Sequence, residues 1–347
     1  MANVGKKITI QEFSRLVGVA PSTVSKALAG TGRMSEATRK RICQAAEEMN
    51  YRPSLVAANL RGRKTNTIGV IVPDIGSNVF SAVVREVEKF AGQRDYNLIL
   101  CTSGGHFNEE RKYAQMLMQR RVEGVIAVPY GERVNHDCSH FQELQRLGIP
   151  VVLVEQNIPG SGLPLVVLDN FDGAKRLTLH MVGAGHRRIV FVGNTLKDWD
   201  YAGRERFAGY REALADSGIK FDEALVMHSG MDIPARLAEL RASAEPPTAV
   251  FAVCDFLALR LISSLHQAGV AVPEDLSVVG FDDIDISAHY LPALTTVLQP
   301  TGAMGRRAAE ILFDIIDEKL NPRETPVYER LPCHLMVRQS CAALKNK

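Results

Sequence analysis

The chain has 347 residues, 46% of them hydrophobic and 23% charged, with a formal net charge of +2. That length exceeds one compact core and calls for two or three domains, and the composition excludes a disordered or fibrous chain. No run approaches the roughly 18 apolar residues of a membrane-spanning helix, and the six cysteines lie scattered without a CxxC pair, as expected of reduced thiols in a cytoplasm.

The small net charge hides an asymmetry. Residues 1–64 hold twelve Lys/Arg against four Glu, a net of +8, which leaves 29 basic and 35 acidic residues, a net of −6, for the rest. A basic head on a mildly acidic body predicts a polyanion-binding module joined to a domain with another task. Met1–Lys7 are basic but no apolar stretch follows, so no secretory signal is expected.

In chain order, Thr9-Ile10-Gln11-Glu12 is a capping box that opens a helix with Ile10, Phe13, Leu16 and Val17 on one face. Gly18 supplies a turn. A second helix runs from Pro21 to about Leu28 on an apolar face of Val24, Ala27 and Leu28. Ser35 and Glu36 open a third, whose stripe is Ile42, Ala45, Ala46 and Met49. Two short helices around a Gly turn, braced by a third, predict a helix-turn-helix. Residues 53–60 have helix composition between Pro53 and Gly62. Such a segment is shorter than the roughly 12–15 residues an isolated helix needs, so its folding must depend on a partner.

From Thr67 the pattern changes to apolar runs alternating with amphipathic helices. The runs are 68–72, 98–101, 124–128, 151–154, 166–168, 189–192, 249–253 and 278–281. They predict parallel sheets covered on both faces. Eight strands suit two similar α/β subdomains, the first starting near residue 68 and the second near 188.

Other motifs carry little chemistry. Gly183-Ala184-Gly185 precedes a strand, whereas a dinucleotide fingerprint must follow one. His136-Asp137-Cys138-Ser139-His140 matches no zinc spacing and reads as a solvated helix start. Neither a Gly-x-Ser-x-Gly elbow nor a phosphate-binding loop occurs, so no enzyme, cofactor or metal is expected.

Thr9-Ile10, Gly18-Val19, Thr23-Val24-Ser25, Tyr51-Arg52-Pro53, Ala57 and Leu60 resemble the DNA-binding head of the lactose/galactose-repressor family. Thr67–Pro73, Gly185–Ile189, Val279–Asp283 and Leu294–Val297 resemble its regulatory domain, in order and over essentially the whole chain. The resemblance implies a helix-turn-helix head over 1–52, a hinge helix and linker over 53–66, and an effector-binding and dimerisation domain over 67–347. That domain would be α/β, with two doubly wound subdomains like the periplasmic sugar-binding proteins: about 67–163 with 297–325, and about 164–296 with 326–347. A plain ligand carrier is disfavoured by the basic head, and a nucleotide-dependent enzyme by the absent phosphate loop.

Site residues follow from the same resemblance. Pro21, Ser22 and Lys26 would meet base edges in the major groove, while Thr9, Thr23, Ser25 and Tyr51 would position phosphates. Ala20 departs from the family's usual Ser and offers no capping oxygen. Ala57, Leu60 and Arg61 belong to the hinge, where paired leucines wedge open the minor groove. In the body, Arg204 and Asp282 would anchor the effector's hydroxyls, with Asn78, Phe80, Glu155, Asp198, Asp200 and Phe251 around them. Acidic residues near one cleft favour a neutral sugar or nucleoside, with a sugar acid or sugar phosphate as the alternatives. A homodimer on a pseudo-palindromic operator is expected, since one head reads a half-site. Whether it represses or activates depends on operator position, and repression of a carbohydrate operon is the commoner case.

Overall fold

The computed structural model describes residues 8–28, 30–51, 64–129, 137–193, 201–228 and 230–344. They fall into two compact units, Met1–Thr65 and Asn66–Lys347.

Among its described residues the first unit holds three helices: α1 (Ile10–Val17), α2 (Pro21–Leu28) and α3 (Glu36–Glu48). The capping box forms reciprocally, the Glu12 amide donating to Thr9 Oγ1 at 3.2 Å and the Thr9 amide to Glu12 Oε2 at 2.8 Å. Phe13, Val24, Ala27, Ile42, Ala46 and Tyr51 make the core. Leu16 departs from expectation and is 64% exposed. Ile10 and Val17 flank Phe13 on one side of the short helix and Leu16 flanks it on the other, and the packed helices cover only the first side. Met49 caps α3 beyond its last helical residue and is likewise exposed. The expected hinge helix, with Ala57, Leu60 and Arg61, lies outside the described residues.

In the second unit a six-stranded parallel sheet is built from β1 (Thr67–Val72), β2 (Asn97–Thr102), β3 (Gly124–Ala127), β4 (Val151–Val154), β5 (Leu165–Leu168) and a later strand, β11 (Tyr328–Leu331). Their spatial order is β11-β5-β4-β3-β1-β2. A second parallel sheet, β7-β6-β8-β9, comprises β6 (Ile189–Gly193), β7 (Val226–His228), β8 (Ala249–Ala252) and β9 (Ser277–Val279). An antiparallel pair, β10 (Thr296–Leu298) and β12 (His334–Met336), lies beside it, linked by the bridges Val279↔Thr295 and Asp282↔Leu298.

The expected subdomain boundary moves. Leu165–Leu168 and Tyr328–Leu331 are both expected in the second subdomain, yet Leu165 pairs with Leu153 and with Tyr328 in the first sheet. The physical reason is burial: β4 and β5 are covered on both faces, and each needs a neighbour on both edges to satisfy its backbone. The chain therefore crosses between subdomains after β5, after β10 and after β11. Helix α4 (Asn78–Gly92) packs against the later helix α11 (Thr301–Ile316) over the first sheet. Helices α7 (Asn170–Gly183) and α8 (Tyr201–Asp216) pack together over the second.

Candidate functional site

Two surfaces carry the candidate residues. On the head, Ser22 and Lys26 are exposed on α2, and Pro21, Thr23 and Ser25 are half-buried. The Ala20 carbonyl accepts from the Thr23 and Val24 amides, so the helix starts without a side-chain cap. The Lys26 stem lies over Gly32, whose φ of +82° and close approach leave no room for a Cβ. Resting the stem there sends the ammonium outward. Tyr51 anchors its ring in the head's core. It is 7% exposed, and the ring stacks on Phe13 at 4.2 Å.

In the body, the carboxyl ends of strands from both sheets face a cleft of about 620 Å³. Open α/β sheets bind ligands at such a crevice. Asp74 follows β1, Glu155 and Gln156 follow β4, Cys254 follows β8, Asp282 follows β9 and Gln299 follows β10. Phe80 of α4 and Arg206 of α8 complete the wall.

Arg206 organises this floor. It is 6% exposed, donates from Nε to Asn170 Oδ1 at 2.9 Å and from Nη1 to the Val253 carbonyl at 2.7 Å, and stacks over Phe281 at 3.9 Å. Its Nη2 lies 3.2 Å from Asp282 Oδ1 and 3.7 Å from Glu155 Oε1. Gln299 Nε2 donates to Glu155 Oε1 at 3.0 Å, and the Tyr201 amide donates to Gln156 Oε1 at 2.9 Å. The buried Gln299 Oε1 has no hydrogen-bond partner among the described residues. Glu155 and Asp282 both sit at positive φ, +66° and +121°, sparsely populated backbone of the kind that collects at ligand sites. Burial, aided by the charge of Asp282, pushes the Cys254 thiol up to about 12, so the cleft's cysteine stays a thiol and not a nucleophile.

Phe80, Glu155 and Asp282 thus line the cleft. Arg204 does not; its side chain is exposed, and Arg206 takes the position expected of it. The signal lay in the helical period, since Ala202, Arg206, Tyr210 and Ala213 share the buried face of α8 and Arg204 falls off it. Phe251 is fully buried against Phe191 and Tyr210 and belongs to the core. Asn78 is exposed at the start of α4 and turns away from the lining that Ser77, Val79 and Phe80 form. Asp198 and Asp200 lie outside the described residues. His140, expected at a solvated helix start, is buried and 2.7 Å from the equally buried Glu110, because its helix (Ser139–Arg146) packs on the one that carries Glu110. No described helix is long and apolar enough to cross a membrane.

Residues 9–54 match the bacterial regulatory proteins of the lacI family, and residues 178–341 match the periplasmic binding protein-like domain. The chain is 33% identical over 333 residues to the HTH-type transcriptional repressor PurR of Vibrio atlanticus (strain LGP32), covering 93% of this chain and 96% of that one. It is 31% identical to the transcriptional regulator CelR, solved as a cellobiose complex, with a TM-score of 0.69 over 96% of this chain and 99% of that one. Its fold also matches the Lac repressor dimer bound to operator and the anti-inducer ONPF, at 23% identity and a TM-score of 0.82, over 97% of this chain and 100% of that one.

Proposed function

We propose, from the premise that this chain belongs to the lacI family of bacterial regulatory proteins and is a DNA-binding transcriptional regulator, that it represses a carbohydrate-utilisation operon and is released by a neutral, hydroxyl-rich effector. The observation that carries the effector class is the state of Arg206. At least three of its five N–H groups already serve Asn170, Val253 and Asp282, and the described lining sets Asp74, Glu155 and Asp282 against this one cation. An anion entering here would meet an excess of carboxylate over cationic charge in a poorly screened cleft. A sugar hydroxyl can instead donate to Glu155, Asp282 or Gln299 Oε1, and Phe80 offers an apolar face to a ring. CelR was solved with cellobiose. The half-buried Phe80 ring also suits a nucleobase, which makes a nucleoside the second reading.

Isothermal calorimetry with cellobiose, ribose, guanosine, glucose 6-phosphate and gluconate tests this. Binding is expected only among the neutral compounds. A phosphate or acid as the tightest ligand would overturn the effector class.

In this reading the protein works in the cytoplasm as a homodimer that places two heads on a pseudo-palindromic operator. Pro21, Ser22 and Lys26 read bases, and Thr9, Thr23 and Ser25 hold phosphates. Ala57, Leu60 and Arg61 contact the minor groove. Lys26→Ala is expected to weaken operator binding by about 1–3 kcal/mol, with a much smaller loss on random duplex. Fluorescence anisotropy on both duplexes separates the cases, since equal losses would make Lys26 a phosphate contact.

A further inference from the structure

Asp255 is fully buried at the first turn of α10 (Asp255–Gln267) and does not line the cleft. It nevertheless gathers three segments. Its backbone amide donates to the Phe281 carbonyl at 2.7 Å. Its Oδ2 accepts from the Ile284 amide at 3.0 Å and from Ser287 Oγ at 2.6 Å, and its Oδ1 accepts from Thr296 Oγ1 at 2.5 Å. Burial raises the carboxyl above its usual range, and those three donors oppose the rise. Gly280 makes the approach feasible, since a Cβ there would collide with Asp255 Oδ1.

The segment so held is the one that carries Asp282. Asp282 and Asp283 are consecutive non-glycine residues at φ +121° and +53°. Such backbone persists only where its surroundings over-determine it. The Asp282 amide is fixed by the Val297 carbonyl, the Gln299 amide donates back to the Asp282 carbonyl, and Arg338 pairs with Asp283. Asp255 closes this frame from both sides, through Phe281 and Ile284. Through Thr296 it also grips β10, the crossover strand that Gln299 follows to reach Glu155.

We infer that Asp255 is a positioning residue, which holds Asp282 against Arg206 and ties that carboxylate to the crossover strand β10. That geometric claim stands whether or not the effector is a sugar; its bearing on effector affinity rests on the cleft being the effector site.

Hydrogen–deuterium exchange on the full-length protein reads it without any ligand. In Asp255→Ala, exchange at Asp282 and Ile284 is expected to rise by about tenfold to a hundredfold, the worth of a buried hydrogen bond to a charged group. The sheet amides of β1 and β3 should stay as in the parent. Asp255→Asn keeps one carbonyl oxygen for Ile284 and Ser287 and should restore most of the protection. A crystal structure of Asp255→Ala should show Asp282 leaving positive φ and parting from Arg206. Should that variant fail to fold, the paired substitution Ser287→Ala with Thr296→Val removes the carboxylate's ties to Ser287 and β10 but keeps its Ile284 bond, so a rise is expected at Asp282 and a smaller one at Ile284. Exchange raised evenly across the body, or unchanged at Asp282 and Ile284, would overturn the assignment.

Discussion

Replacing Arg206 by Ala is expected to abolish the effector response and to destabilise the body of the protein. Asp282 and Glu155, 3.2 and 3.7 Å from the lost guanidinium, would be left facing one another with their cation gone. Stranding a buried charge in this way costs about 3–5 kcal/mol, and the vacated space beside Phe281 adds a cavity. Arg206→Lys keeps the charge but not the fork that serves Asn170 and Val253 together, so it should fall between the two. Arg204→Ala is the control: its exposed side chain does not line the cleft, so effector affinity should stay as in the parent. Calorimetry with the best neutral ligand, beside thermal melts, measures both effects. Unchanged affinity in Arg206→Ala would remove Arg206 from the site.

Phe13→Ala is expected to remove DNA binding while sparing the body. Phe13 is fully buried and stacked on Tyr51 at the centre of a core of only a few side chains. The substitution costs about 3–5 kcal/mol, close to the whole stability that so small a core supplies. The head should therefore unfold at ordinary temperature. The body is a separate compact unit with its own core, so its melting transition and effector binding should persist. Operator binding by anisotropy, read against circular dichroism, decides the matter. Undiminished operator affinity would show that the head has reserves beyond this core.

Much of the architecture was legible in sequence, and the failures share a cause. All eight apolar runs form strands, seven of them buried along their length and apolar for that reason, while β2 is a partly exposed edge. The strands at β7, β10, β11 and β12 escaped. Three of the four are only three residues long, and β11 reads Tyr-Glu-Arg-Leu because it is a half-exposed edge. The same uniformity that reveals central strands hides which way their side chains point. Ala249, Phe251 and Val253 face one core cluster and Val250 and Ala252 another, and nothing in an all-apolar run marks Phe251 as core and not cleft. Cleft residues just past strand ends, such as Glu155 and Asp282, were easier to place, since the ends are marked by the change from apolar to charged. Arg206 lies two positions beyond the expected Arg204, because the helical period and not the end of the preceding loop sets which arginine turns inward.

The late return of β11 to the first sheet bears on how the protein is made. Strand β1 emerges from the ribosome early, yet the sheet it founds lacks its edge at Leu165 until Tyr328–Leu331 has been synthesised, and lacks the cover of α11 until shortly before. Over that interval the apolar strands of the first sheet are exposed to non-native pairing, as long-range parallel pairing always risks. The head's described core meets no such delay, since its side chains are all supplied by Tyr51. A nascent chain stalled between residues 170 and 300 would therefore carry a folded DNA-binding unit on an unfinished body.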